Sequence, residues 1–477
     1  MHVSLSHSII AALPAAPTNS QAKAIGLMEQ LVESKGTNNF SLLLRGYAGT
    51  GKTTLLSALV RAIPKNRFQT ILLAPTGRAA KVMSSYSGQT AATIHRHIYR
   101  KETGTSGGIH FSRKRNMFAN TIFIVDEASM LSDDSEFGSN GLLGDLISYV
   151  FEQKNNRLIL CGDTAQLPPV GKLISPALDK RYLESHFPID LLEIELTDVV
   201  RQAQTSGILY NATKLRNDIR NSATKIQFIT GFNDFYKMTS DRLEDGLRYA
   251  YDHFGREETI IICRSNKSAT GYNRYIRQAI FFTENELDAG DLLMSVRNNY
   301  TILPPNISSG FIANGDFLEI RKVLRYQDQY GFRFADIEAV FRDFPEFGNF
   351  QLKILLDTLY STTPNLEKDK MQQLYTEVEK EYADITTKQE RMDAIRKDPF
   401  LNALQVKFAY ALTCHKAQGG QWETVFIEQG YLTDDKIDVE FLRWLYTAIT
   451  RGKSQVFLVN FHPRFFEGGE KVQSTDD

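Results

Sequence analysis

Gly46-Tyr47-Ala48-Gly49-Thr50-Gly51-Lys52-Thr53 fits the pattern of a phosphate-cradling loop at every defined position. Glycines let successive backbone N–H groups close around an anion, and a helix start behind them adds the positive end of a dipole. In such a loop Gly46, Ala48, Gly49, Thr50, Gly51 and Thr54 line the phosphates. Lys52 reaches the β- and γ-phosphates, and Thr53 offers its hydroxyl to Mg²⁺. At average residue usage, a chance match in 477 residues is about a one-per-cent event. Asp126 and Glu127 follow the apolar run 121–125. One carboxylate at a strand end can hold Mg²⁺, and its neighbour can orient or deprotonate water. Gln166 lies in 161–169, after another apolar run, where a polar head can meet a γ-phosphate. Singly, an Asp-Glu pair or a Gly-Asp turn is ordinary; following a phosphate loop, they predict hydrolysis of ATP with Mg²⁺.

These residues need rigid elements to hold them. Apolar runs at 41–45, 69–74, 121–125 and 157–161 alternate with helical stretches, which predicts a parallel sheet covered on both faces. Residues 99–103 and 109–113, joined by a Gly/Ser cluster, predict a β-hairpin inserted into this unit. The pattern restarts near Asp198, with strands expected at 259–263, 408–412, 425–427 and 455–459. From about 321 to 405 it is interrupted, first by short aromatic-rich strands, then by a charged helical stretch over 365–397 with one apolar face. The expected organisation is therefore residues 1–197 with the hairpin at about 97–118, then 198–320 and 406–477, with 321–405 inserted. Near the N-terminus, 8–16 lacks a preceding Lys or Arg and is broken by Pro14; it reads as a helix start packing on the body.

Composition bounds the rest. The chain is 42% hydrophobic and 23% charged with a net charge of −1, so no global basic field advertises nucleic acid; any groove for it must be local. Cys161, Cys263 and Cys414 have no metal-ligand spacing and fit a reducing cytosol. No run is long and apolar enough for a bilayer, so a cytoplasmic location with no membrane partner is expected.

Further segments carry polar and basic heads in order along the chain. They are Gln21 in 17–21; Pro75, Thr76 and Arg78 in 74–81; Thr93 and His95 in 93–95; Arg201 in 196–202; Thr413, His415, Lys416 and Gln418 in 413–419; and Arg451 in 446–452. Together with the phosphate loop, Asp126-Glu127 and Gln166, the string resembles the superfamily 1 helicases of the 5′-to-3′ class, the RecD-like and Dda-like group. The resemblance covers about residues 21–459 and breaks at Gln421, where relatives often carry Glu. It implies two RecA-like P-loop motor domains, a hairpin that acts as a duplex-splitting pin, and an SH3-like accessory domain extended by helices. Gln21 would read the adenine. Lys52, Asp126, Glu127 and Gln166 would face Arg201 and Arg451 across the ATP cleft.

Pro75, Thr76, Arg78, Thr93, His95, Thr413, His415, Lys416 and Gln418 would grip a single strand by its phosphates. Tyr99, Phe111 and Trp422 are candidates to stack on bases. Arg96, Arg100, Lys101, Arg113, Lys114 and Arg115 make the hairpin basic, although a merely solvated hairpin has the same composition. The implied partners are single-stranded and forked DNA, with the chain acting as a monomer, plus replication or recombination proteins. The residues alone leave open an RNA-directed translocase on the same scaffold. They also leave open a nucleotide-gated clamp or recombination-complex subunit that does not part strands.

Overall fold

The structure is a computed structural model. It describes residues 4–467 apart from 35–38, 65–66, 104–108, 134–140, 200–204, 224–225, 300, 304–310 and 434–435, and also leaves out the side chains of 101–111. Arg201, Phe111 and the expected turn of the hairpin lie outside the described residues or side chains.

In chain order the first strands are β1 (Phe40–Gly46), β2 (Gln69–Ala74), β3 (Ala91–Thr93), β4 (Tyr99–Thr103), β5 (Ile109–Arg113), β6 (Thr121–Val125), β7 (Arg157–Gly162) and β8 (Asp190–Leu196). Six of them form one sheet in the order β3-β2-β6-β7-β1-β8, with every neighbouring pair parallel. All residues of β6 and β7 are buried, as expected for a sheet covered on both faces. β4 and β5 pair antiparallel, Tyr99 opposite Arg113, as the expected hairpin. The N-terminal helix Leu5–Ala12 buries Leu5 and Ile9 against the body.

β9 (Phe235–Met238) and β10 (Thr259–Cys263) begin a second sheet. The chain then leaves it for β11 (Leu292–Ser295), β12 (Phe317–Gln329), β13 (Phe332–Phe341), β14 (Asn349–Leu355) and β15 (Leu404–Phe408), which close into a barrel. It returns for β16 (Ala411–Thr413), β17 (Trp422–Glu428) and β18 (Gly452–Val459). The second sheet is also all parallel, in the order β16-β10-β17-β18-β9.

Four expectations differ here. The insertion does not start at 321: that residue lies inside β12, and the barrel already begins with β11. The aromatic-rich strands are long, 13 and 10 residues, because a hairpin turn at Tyr330-Gly331 lets them pair almost end to end. The apolar run 408–412 is not one strand. It breaks at Ala409-Tyr410, where Asn273 Oδ1 accepts from the N–H groups of Tyr410 (3.0 Å) and Ala411 (2.9 Å), so β15 goes to the barrel and β16 to the second sheet. The charged stretch is two helices, Lys368–Glu381 and Lys388–Lys397, whose Leu374, Val378 and Ile395 pack under Phe332 and Phe334 of the barrel.

Candidate active site

The phosphate loop joins β1 to the helix Lys52–Ala62. Gly49 and Gly51 hold φ of 77° and 78°, a left-handed backbone that side chains with a Cβ rarely adopt. Thr50 Oγ1 donates to the Tyr47 carbonyl at 2.7 Å and closes the turn. Lys52 Nζ folds back onto the carbonyls of Gly46 (2.7 Å) and Tyr47 (3.0 Å) and lies 3.9 Å from Asp163. Thr53 and Thr54, in the first turn of the helix, are exposed. Gln21 is committed to local structure: its Oε1 accepts from Thr18 N in a capping box, and its Nε2 donates to the Thr50 carbonyl at 3.0 Å. It therefore braces the loop from behind.

Asp126 and Glu127 follow β6. Asp126 Oδ1 accepts from the Glu127 amide at 2.9 Å and Oδ2 from the Tyr86 hydroxyl at 2.5 Å. Glu127 sits at φ 54°, a strained backbone for a residue with a Cβ, and such strain, about 1–3 kcal/mol, collects at functional positions. Burial pushes its carboxyl up, while Arg451 opposes that rise. Arg451 comes from the other sheet, at the end of the helix Val439–Ile449, and only 2% of its side chain is exposed. Its Nη1 is 3.6 Å from Glu127 Oε1. The Gln166 amide lies between the two; turned so that both its ends find a partner, its nitrogen donates to Glu127 Oε2 at 3.1 Å and its oxygen accepts from Arg451 Nη2 at 3.0 Å. Carboxylate, amide and guanidinium thus meet where the sheets face each other.

The same helix reaches the loop through a side chain that sequence reasoning quoted but gave no role. Tyr446 is fully buried; its hydroxyl accepts from Ala48 N–H at 2.8 Å and donates to Asp163 Oδ2 at 2.6 Å. Thr447 Oγ1 accepts from Leu167 N at 2.9 Å, and Arg443 donates to the carbonyls of Thr164 and Gln166. A phosphate that takes the Ala48 amide must displace Tyr446. Tyr446→Phe is therefore expected to tighten ADP binding about threefold to tenfold, for one hydrogen bond worth about 1 kcal/mol. Titration with a fluorescent ADP checks this, and an unchanged or weaker affinity would remove Ala48 from the cradle.

The residues expected to grip a strand divide into two groups. Thr76 and Thr93 cap the starts of the helices Gly77–Ser87 and Ile94–Ile98. His95 follows β3, and His415 and Lys416 follow β16, each an edge strand of its own sheet; Lys416 Nζ donates to Asn314 Oδ1 at 2.5 Å. Pro75 precedes the Thr76 cap, and Thr413 is itself the N-cap residue of the short helix Cys414–Ala417, without a side-chain cap hydrogen bond. Burial holds His95 at about 4, so near neutral pH it brings a neutral ring rather than the expected positive head.

The other group is turned inward. Tyr99 is only 5% exposed and its hydroxyl donates to Asp145 at 2.7 Å, so its ring serves the core rather than a base. Trp422 is buried beneath the Arg78 guanidinium, 5.1 Å from its centroid. Arg78 also lies 3.6 Å from the buried Asp343 of the barrel edge. Gln418 donates to the Leu167 carbonyl at 2.6 Å, tying its loop to the first sheet.

A phosphate loop on one parallel sheet, answered by an arginine from a second, defines a nucleotide-hydrolysing motor of the P-loop class. Comparison with known proteins narrows this. The AAA domain family matches residues 18–230, and the UvrD-like helicase C-terminal domain family matches residues 408–459. The chain is 24% identical over 468 residues to the ATP-dependent DNA helicase dda of Enterobacteria phage T4, covering 93% of this chain and 99% of that one. It is 24% identical over 431 residues to the ATP-dependent RecD2 DNA helicase of Deinococcus radiodurans, covering 87% of this chain and 46% of that one. A crystal structure of Pif1 helicase from Bacteroides with ADP-AlF3 and single-stranded DNA is 17% identical, with a TM-score of 0.46 over 94% of this chain and 93% of that one. The chain thus matches an AAA domain and a UvrD-like helicase C-terminal domain, and over nearly its whole length it is similar to an ATP-dependent DNA helicase.

Proposed function

We propose that this chain is an ATP-hydrolysing superfamily 1 DNA helicase of the Dda/RecD type that moves 5′ to 3′ along single-stranded DNA as a monomer and parts the duplex ahead of it. Its units are a first motor domain over 1–197, a second over 198–320 and 406–477, and an accessory SH3-like barrel with helical extension. The barrel strands β11 to β15 favour drawing that last unit from about residue 292 rather than 321. Hairpin β4–β5 is the pin.

One observation carries the reading: the Glu127–Gln166–Arg451 meeting across the two sheets, with Arg451 3.6 Å from Glu127. Glu127 orients and deprotonates the attacking water, and its raised pKa suits a base that must take a proton near neutral pH. Gln166 relays the γ-phosphate state between the domains. Arg451 stabilises charge that develops on the transferred phosphoryl group, and Arg201 is assigned the same task. Lys52 unfolds from Gly46 and Tyr47 to reach the phosphates. The oxygens of Thr53 and Asp126 fit Mg²⁺, which takes hard oxygen ligands from one or two side chains together with substrate phosphates. Bound there, the ion neutralises charge on the β- and γ-phosphates. Because the arginine and the carboxylate belong to different sheets, loss of the γ-phosphate alters what holds the sheets together, and that change of grip drives stepping.

Direction is tested with two partial duplexes that differ only in the polarity of the tail. Unwinding of the 5′-tailed substrate alone is expected; unwinding of only the 3′-tailed one would reverse the assigned polarity. Stimulation of ATP hydrolysis by DNA but not by RNA of the same sequence is expected alongside.

A further inference from the structure

Away from the ATP cleft, a cavity of about 530 Å³ opens between the first sheet and the barrel. That is within the roughly 300–1,000 Å³ of small-ligand sites. Its walls come from the β3 edge, the segment that follows the hairpin, and the barrel turn at Pro345–Phe347. Two ring pairs face into it: His97 with Phe118, centroids 5.7 Å apart, and Phe344 with Phe347, also 5.7 Å and nearly parallel at 22°. Burial holds His97 at about 4, so it contributes a neutral aromatic face near pH 7.

Arg96 lies at the inner end, with only 8% of its side chain exposed. Its Nη2 is paired with Asp316 at 2.8 Å and its guanidinium sits 4.4 Å from the Phe344 centroid, yet buried Nε and Nη1 have no hydrogen-bond partner. A buried donor without an acceptor is costly, and a strut between two domains would not need one. Asp316 already neutralises the charge, so the inner end suits a flat, uncharged group that carries acceptors. The rest of the lining differs: the exposed Arg115 brings positive charge, as does Lys114, whose Nζ donates to the Arg96 carbonyl at 2.8 Å, and the carboxylates near them are Glu346 in the lining and Glu152 beside Arg115. Aromatic walls, an arginine with unsatisfied donors behind them, and cations in the lining match a base joined to its phosphates.

We propose that this cavity takes one unpaired nucleobase of the DNA, stacked between the Phe118 and Phe347 sides, with a flanking phosphate on Arg115. The inference rests on the reading that the strand runs past Thr93 and His95, in the helix that also carries Arg96.

The test uses the full chain and single strands carrying 2-aminopurine at successive positions. At one position the emission is expected to change on binding. In Phe118→Leu/Phe347→Leu that change should disappear and strand affinity fall about tenfold, the scale of losing one stacked base. Arg115→Ser alters only an exposed residue and so cannot fail by misfolding; it should lower the salt slope of strand binding by about one. A strand-bound protein with a flat scan, or an unchanged slope in Arg115→Ser, overturns this proposal alone. Release of the signal by free nucleoside monophosphate at micromolar concentration also overturns it, by assigning the pocket to soluble nucleotide. A wild-type protein that binds no strand overturns both the proposal and the reading beneath it.

Discussion

Replacing Arg451 by lysine is expected to lower kcat for ATP hydrolysis by about 10³-fold or more while leaving nucleotide affinity within a few-fold of the parent. The magnitude is that of an arginine finger, about 10³–10⁵ in rate. Lysine keeps the positive charge beside Glu127, so the partly buried carboxylate keeps a cationic partner. What lysine loses is the planar fork. Arg451 Nε donates to the Thr447 carbonyl at 3.1 Å and Nη1 to the Gly420 carbonyl at 3.2 Å, which aims Nη2 at Gln166. A flexible ammonium cannot hold those directions together. Steady-state hydrolysis with saturating single-stranded DNA, with a thermal melt as control for folding, measures the effect. A kcat within tenfold of the parent would take Arg451 out of the reaction.

Lys52→Ala is expected to remove ATP hydrolysis and unwinding, by at least about 10²–10³ in kcat, the scale of losing one oriented donor to developing charge. Single-strand affinity should be spared, because among the described residues the hydrogen bonds and ion pair of Lys52 go to the loop itself and Asp163. The fold should be spared as well. Alanine is the best helix former, and position 52 opens the helix rather than packing its core. A Lys52→Ala protein that still unwinds a forked duplex would show that this loop does not hold the hydrolysed nucleotide.

The parallel sheets were legible in the sequence because each strand is a short apolar run between turn signals, and burial on both faces requires that pattern. β2, β6 and β10 lie where the runs predict them. The barrel's limits were not legible: β11 is an apolar run like those of the sheets, and the alternating β15 runs straight on into the apolar stretch 408–412, so local composition does not say where one sheet ends and the other begins. At the site, motif order brought Lys52, Glu127, Gln166 and Arg451 within reach of one another. It misled for Tyr99, Trp422 and Arg78, whose polar or aromatic heads suit a strand-binding face but meet Asp145, Arg78 and Asp343 instead. Those partners are set by tertiary packing. Tyr446 shows the same limit, since its hydroxyl finds Ala48 from 398 residues away.

The division of the 404–413 run between two sheets has a mechanical consequence. β15 closes the barrel and only Ala409 and Tyr410 separate it from β16, which leads directly through Thr413 into the short helix with His415 and Lys416. Two residues, pinned by Asn273, leave no slack for a hinge. The barrel is therefore a lever arm welded to the second sheet: torque applied to it by a fork arrives undamped at the foot that would stand on the track.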